Sequence, residues 1–419
     1  MKGYQLVSEA IESCQMGMVF CVRSGGGGHN NVTSRTGYAL RIAAFYGALF
    51  LYIGVYLPFF PVFLAGRGLS EAQIGIVMAL PLVARIVATP MMTWLADRTG
   101  NAGRILAVYA WGVLVTTAVY LVCRDFATMA IVTVANAVFL NPMMPITEAL
   151  ALRGARLYAL DYGRMRLAGS ATFIAGNLVG GAVIAAYSSA AAVWLMIASA
   201  IAMVVCGFLL PATRGDGEGA RMPMNLVATF RDAATPFNVL VLGGFALLMA
   251  SHNLFYVFGT INWSRQGIGS EMAGVLWSVG VVAEICLFAF SGAAAKRLGI
   301  RGLVLAACTA GLVRWSMMAF DPPLALLFPL QALHGLTFGA LHLAAMGFLS
   351  DRSGAGSANS LQGLYFTITG VASSLVNLAA GPIYAQLGAS GFLVMAVLVA
   401  CGGALVLTAL ARGRPASTP

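Results

Sequence analysis

Eight ionisable side chains of this sequence fall inside long apolar runs: Arg85, Glu148, Arg166, His252, Glu284, Arg314, His334 and His342. A charge at the centre of a membrane-crossing helix costs about 2.5–3.5 kcal/mol on insertion scales unless it is paired or hydrated. Most of the eight must therefore face a bundle interior or a watery cavity, where they can pair, bind a polar solute or move a proton. Glu148 and Arg166 stand 18 positions apart in consecutive runs, a spacing that brings both to similar depth in an antiparallel helix pair. Opposite charges at one depth make a site that a polar substrate can enter and open. The same two residues would equally serve as an ion pair that simply joins two helices. Phe173 lies two turns beyond Arg166 on the same face, so its ring either lines such a site or packs in the core. Glu284, Arg314 and His334 form a comparable group on three later runs. His252 and His342 are expected as hydrogen-bonded histidines in helix contacts, and Arg85 as a snorkelling or paired arginine.

The elements that must position these groups are helices in lipid. Of 419 residues 60% are hydrophobic and 9% charged, with a mean hydropathy of +0.86. That is more apolar surface than a water-soluble domain of this length could bury. Runs long enough to cross ~30 Å of hydrocarbon lie near 40–64, 73–96, 104–122, 127–151, 164–187 and 190–211. Six more lie near 237–260, 271–295, 302–320, 324–349, 359–385 and 389–411. The long polar stretch between the sixth and seventh divides the chain into two halves. The expected organisation is a tail at 1–37, a six-helix bundle at 38–212, a central loop at 213–235, a second six-helix bundle at 236–411 and a short tail at 412–419. Six plus six spans is itself a transporter signature. Glycines and prolines within the spans, such as Gly176, Gly180, Pro142 and Pro145, suit close helix contact and local bending.

The formal net charge of +10 would suggest nucleic acid in a soluble protein. Here the basic residues sit in short segments between apolar runs, which is the positive-inside pattern and excludes a phosphate-binding face. With a cytoplasmic N-terminus, 18 Lys and Arg residues fall on the cytoplasmic side against three, Arg67, Arg124 and Arg265, on the other. Both termini and the central loop are therefore expected in the cytoplasm. The first 37 residues, with GGGG at 25–28, cannot pack a core and are expected to be a disordered, dispensable tail. Seven cysteines show no CxxC and no His/Cys cluster. Cys123, Cys206, Cys286, Cys308 and Cys401 read as small core or lipid-facing residues, and no metal or cofactor is expected.

After the second run comes Thr93-Trp94-Leu95-Ala96-Asp97-Arg98-Thr99-Gly100, with Arg104 following. This resembles the loop motif of the major facilitator superfamily, G-x-L-a-D-r-x-G-r-[KR], although Thr93 replaces the first glycine and Asn101-Ala102 interrupt the basic run. A loop of this kind sets a carboxylate and arginines against helix ends and can latch two helices on one membrane face, so Asp97, Arg98, Gly100 and Arg104 are candidates for a cytoplasmic gating loop. Further segments narrow the resemblance to the 3-phenylpropionate permease family, a relative of the lactose and nucleoside proton symporters. They are Leu57-Pro58-Phe59-Phe60, the run from Asp161 to Ser170, the run from Leu276 to Glu284, Val313-Arg314-Trp315, and Leu333-His334 through Met346. The resemblance implies twelve helices in two six-helix bundles related by a pseudo-two-fold axis, in a bacterial inner membrane. It also implies substrate binding by Glu148, Arg166 and Phe173, and proton coupling by Glu284, Arg314 and His334. Thr337 stands where the lactose permease branch keeps its proton-carrying glutamate, which leaves Glu284 as the candidate carboxylate.

The function expected from this reading is secondary active transport by alternating access: a monomeric proton symporter of a small organic solute such as an aromatic carboxylate. A sugar or nucleoside symporter, or an exporter of the same fold, fits the charged pair as well. A non-transporting membrane receptor is the reading from another class, and it would normally add a sizeable soluble domain. An enzyme is not expected, since the sequence offers no nucleophile triad, metal cluster or phosphate loop; the glycines at 25–28 are not followed by GK[ST].

Overall fold

The computed structural model describes residues 35–211, 234–352 and 358–412, so the tails and most of the central loop lie outside the described residues. The regular structure among those residues is helical. The first half contributes α1 (Arg35–Gly66), α2 (Glu71–Thr99), α3 (Ala102–Val119), α4 (Phe126–Leu140), α5 (Met143–Tyr158), α6 (Tyr162–Ala186) and α7 (Ala191–Leu209). The second contributes α8 (Pro236–Ala250), α9 (Asn253–Arg265), α10 (Ser270–Ala289), α11 (Ser291–Met318), α12 (Leu324–Ala332), α13 (Leu341–Arg352), α14 (Ala358–Leu387) and α15 (Phe392–Arg412). A π-helical segment, Gly335–Ala340, joins α12 to α13.

Among the described residues ten helical stretches are long and apolar enough to cross a membrane, and the bent α2 brings the number to 11. The last of them, Leu361–Arg412, is divided by a 3-10 turn at Gly388–Gly391. Counting its two parts separately reaches the twelve crossings expected. Spans four, seven and ten are each broken: α4 from α5 at Asn141–Pro142, α8 from α9 at Ser251–His252, and α12 from α13 by the π segment. Spans four and ten are corresponding members of the two halves.

Local sequence explains where the helices start. Ser70 and Gln73 form a capping box at α2, Asp125 caps α4, Asp161 caps α6, and Thr235 with Pro236 opens α8. The Thr128 backbone N–H donates to the Asp125 carboxylate and holds it below the usual carboxylate range. α1 is buried on nearly every side and carries Phe45, Tyr52, Phe59 and Phe60 into the first half's core. The outside of the molecule is apolar too: Trp111, Ile131, Trp194, Phe208, Leu375 and Val397 are all exposed, a surface suited to hydrocarbon. Cys123, Cys206, Cys286, Cys308 and Cys401 are free thiols.

Candidate functional site

In the first half, α5 and α6 bring Glu148 and Arg166 together. Arg166 Nε lies 3.6 Å from Glu148 Oε1, and the two side chains keep 30% and 34% of their surface exposed, so water reaches the pair. The guanidinium also lies 4.2 Å from the centre of the Phe50 ring and 5.7 Å from that of Tyr46, both on α1. Gly54 is what lets α1 come this close to α6: a β-carbon there would sit 2.5 Å from the Phe173 carbonyl oxygen.

The second group is driest at its arginine, while Glu284 keeps 24% of its side-chain surface exposed. Arg314 on α11 is 1% exposed. Its guanidinium donates to Gln331 Oε1 at 2.7 Å, to Thr337 Oγ1 at 3.2 Å and to His334 Nδ1 at 3.2 Å. Because Nδ1 of His334 accepts, that ring is neutral and carries its proton on Nε2, which lies 3.7 Å from Glu284 Oε2. His252, at the break in span seven, is fixed by the same logic. Its Nδ1 can only donate to the Met249 carbonyl at 3.1 Å, and its Nε2 lies 3.1 Å from the Thr337 hydroxyl. Arg314, Thr337 and His252 are thus linked in one chain that ends on the Met249 carbonyl, which also accepts the His252 backbone N–H, while the Thr337 hydroxyl lies 3.4 Å from the His334 carbonyl as well. Polar groups buried this deeply persist because they satisfy one another.

Both groups meet one cavity of ≈ 390 Å³. Phe50, Leu57, Arg166 and Phe173 line it from the first half. The second half supplies Glu284, Arg314, Gln331 and His334, with a wall of rings from Phe255, Tyr256, Trp277 and Phe338. Phe255 and Trp277 lie 4.9 Å apart between centroids, and His334 stacks on Phe338 at 5.3 Å. Glu148 stands behind Arg166 and is not part of the lining. His342 lines the cavity with its ring parallel to Phe338, at 6.3 Å, where a hydrogen-bonded helix contact was expected. Arg85 is exposed on α2 and has no ion-pair partner among the described residues.

The halves close against each other on the face away from the termini. There Gly75 of α2 meets Gly381 of α14, where a β-carbon would lie 2.7 Å from backbone nitrogen, and Gly274 of α10 lies against the Asn177 carbonyl of α6. Asn377 Nδ2 donates to the Met78 carbonyl at 3.1 Å, and Arg265 pairs with Glu71 at 2.6 Å. On the terminal face Asp97 and Arg98 are exposed, and Arg98 lies over the Trp94 ring at 5.3 Å. Gly100 ends α2 in the left-handed conformation at φ 65°, and Asn101 caps α3 by accepting from the Arg104 backbone N–H at 3.1 Å. Asp97 makes no ion pair among the described residues.

The model of the MFS_1 like family matches residues 39–394. The chain belongs to this family of major-facilitator transporters. A probable 3-phenylpropionic acid transporter of Escherichia coli (strain K12) is 30% identical to this MFS_1-like chain over 361 residues, which is 85% of the chain and 94% of that relative. A maltose permease of Geobacillus stearothermophilus is 27% identical over 70% of the chain and 74% of its own length. A mutant of the nucleoside transporter NupG superposes with a TM-score of 0.80 at 16% identity, covering 90% of this chain and 100% of NupG. A bacterial homologue of the lysosomal transporter Spinster, crystallised facing inward, gives 0.67 at 14% identity over 90% and 96%. The MFS_1-like protein is an integral membrane transporter of small molecules and not an enzyme.

Several members of the site were not singled out by sequence as its parts, among them the rings of Phe50, Phe255, Tyr256 and Phe338 and the polar Gln331 and His252. Gln331 and His252 are neutral or titratable residues in apolar runs, and only the fold brings them to Arg314 and Thr337. The signal that could have found Gln331 is its place one helical turn before His334, on the same face.

Proposed function

We propose that this MFS_1-like transporter is a proton symporter of small aromatic carboxylates resembling 3-phenylpropionate, working by alternating access in a bacterial inner membrane with both termini cytoplasmic. The observation that carries the reading is the cavity itself: rings on several sides, a guanidinium from each half, and a carboxylate, Glu284, in contact with a neutral histidine. Rings bury an aryl group, a guanidinium holds a carboxylate, and the carboxyl group of Glu284 is the proton carrier. The 30% identity to the probable 3-phenylpropionic acid transporter supports the same substrate class. In this reading the Glu148 and Arg166 pair, with Phe173, contacts the substrate from the first half, Glu284, Arg314 and His334 couple its movement to protons, and Asp97, Arg98, Gly100 and Arg104 latch the terminal face in the opposite state.

A nucleoside symporter is the second reading, favoured by the superposition on NupG. Uptake of labelled 3-phenylpropionate, uridine and maltose into proteoliposomes, with and without an inward proton gradient, separates them. Accumulation of the aromatic acid alone, dependent on the gradient, is expected. Accumulation of uridine in its place would replace the first reading with the second.

A further inference from the structure

Arg314 is a buried cation that no carboxylate neutralises. Three of its five N–H groups are taken, by Gln331, Thr337 and His334, all uncharged, and the remaining two, the Nε–H among them, meet no acceptor among the described residues. A guanidinium in this condition is costly unless a further anion completes it. It lines the central cavity and has the rings of Phe255 and Trp315 at 4.9 and 4.6 Å. Arg166, the other cation of the cavity, is already paired with Glu148, so an incoming carboxylate there would be crowded by a like charge.

We infer that the substrate's carboxylate is held by Arg314 in the second half, and that Glu284 takes up the single proton that balances it. The assignment rests on the aromatic-carboxylate reading above and says where the anion sits and what it costs in charge. With the cavity empty, Arg166 is paired with Glu148, and an ionised Glu284, in contact with the neutral His334 and not with Arg314, brings the net charge of the cavity to zero. When the substrate anion arrives at Arg314, one proton from the bulk converts the Glu284 carboxylate to the acid, and the net charge of the cavity is again zero. The charged and titratable groups facing Glu284 are His334 of span ten, Arg314 of span nine, Tyr256 of span seven and Arg166 of span five, with His342 further along the wall. Thr337 stands between His252 and Arg314 and is hydrogen-bonded to both. Gln331 and Thr337 are positioning residues: they hold the guanidinium without discharging it. Transport is then electroneutral, one proton per carboxylate.

The test compares 3-phenylpropionate with its neutral amide, 3-phenylpropionamide, by competition binding to the purified full-length protein, and follows uptake in proteoliposomes under a clamped potential. Wild type prefers the acid. Arg314→Gln weakens acid binding roughly 10- to 100-fold, as expected for loss of charged hydrogen bonds, while amide binding changes little. Gln331→Glu guards against misfolding: it keeps the arginine and the side-chain shape, supplies a resident carboxylate at the existing contact, and abolishes the preference in the same way. The double variant Glu148→Gln/Arg166→Gln weakens acid and amide alike and keeps their ratio. Gradient-driven uptake of the acid is unchanged when valinomycin and potassium impose an interior-negative potential. Loss of the preference in the double variant with its retention in Arg314→Gln would move the anion to the first half and overturn the assignment while leaving the substrate class intact. Faster uptake under the negative potential would overturn the one-to-one balance. Binding of neither acid nor amide by wild type would remove the aromatic-carboxylate reading, and this inference with it.

Discussion

The two halves of the molecule treat the same pair of charges in opposite ways. In the first half an arginine and a glutamate meet directly, about a third exposed, with the Phe50 ring against the guanidinium. In the second half the arginine is wrapped by a glutamine, a threonine and a histidine, and the glutamate lies on the far side of that histidine. A hydrated closed pair is cheap to keep and cheap to part, which suits a group that exchanges a protein partner for a solute hydroxyl or ring. A buried arginine separated from its carboxylate by one imidazole is held in tension, because either a proton or an anion changes which arrangement is best. The comparison teaches that charge content alone does not tell a recognition site from a coupling site; the dryness of the setting and the intervening neutral groups do.

The strongest way to break this contrast is Glu284→Gln. The variant is expected to bind and exchange substrate yet lose accumulation against a gradient entirely, measured as proton-driven uptake beside counterflow in the same proteoliposomes; unimpaired accumulation would hand the coupling role to His334 or remove it. Next in size, Glu148→Gln and Arg166→Gln taken singly should each weaken substrate binding roughly 10- to 100-fold, since each leaves its partner uncompensated. Replacing both by apolar residues, Glu148→Leu with Arg166→Met, should not restore it. Recovery in that double variant would reduce the pair to a helix contact. A smaller effect is expected on the seal. Gly274→Val pushes a side chain into the Asn177 carbonyl, so the population should shift toward the state open on the face away from the termini. Met78→Cys, buried at that seal, would report the shift through faster labelling by a membrane-impermeant maleimide. Smallest of all, Glu71→Gln removes an exposed ion pair with Arg265 and should alter stability by no more than ~1 kcal/mol in a thermal-shift assay.

Much of this is legible in the amino-acid sequence. Apolar runs of membrane-spanning length mark the helices because lipid satisfies no backbone group, and most of their ends agree with the helices within a few residues; α1 begins at Arg35, five residues ahead of the expected 40, whereas α11 begins at Ser291, eleven ahead of the expected 302. Glu148 with Arg166, and Glu284 with His334, stand out because charge inside such a run is expensive. What sequence could not give is the side on which each charge is answered. That Arg314 meets Gln331, Thr337 and His334 but no carboxylate depends on helix rotation and on the breaks in spans seven and ten, and no spacing rule encodes those. The closed glycine seal was equally hidden: Gly75, Gly274 and Gly381 look like any glycines of a membrane helix until the opposing backbone is known.

The π segment Gly335–Ala340 adds a consequence for the length of the chain itself. A wide turn of this kind accommodates one surplus residue within an otherwise ordinary helix. Deleting a single residue there would let span ten close into a plain α-helix, still long enough to cross, with the turns on either side keeping their faces. The loss would be local: the wide turn that brings His334 and Thr337 to the same guanidinium would tighten, and the side chains within it would rotate away. The surplus residue works as a local spacer, widening one turn of the cavity wall while the rest of the same helix keeps its alignment.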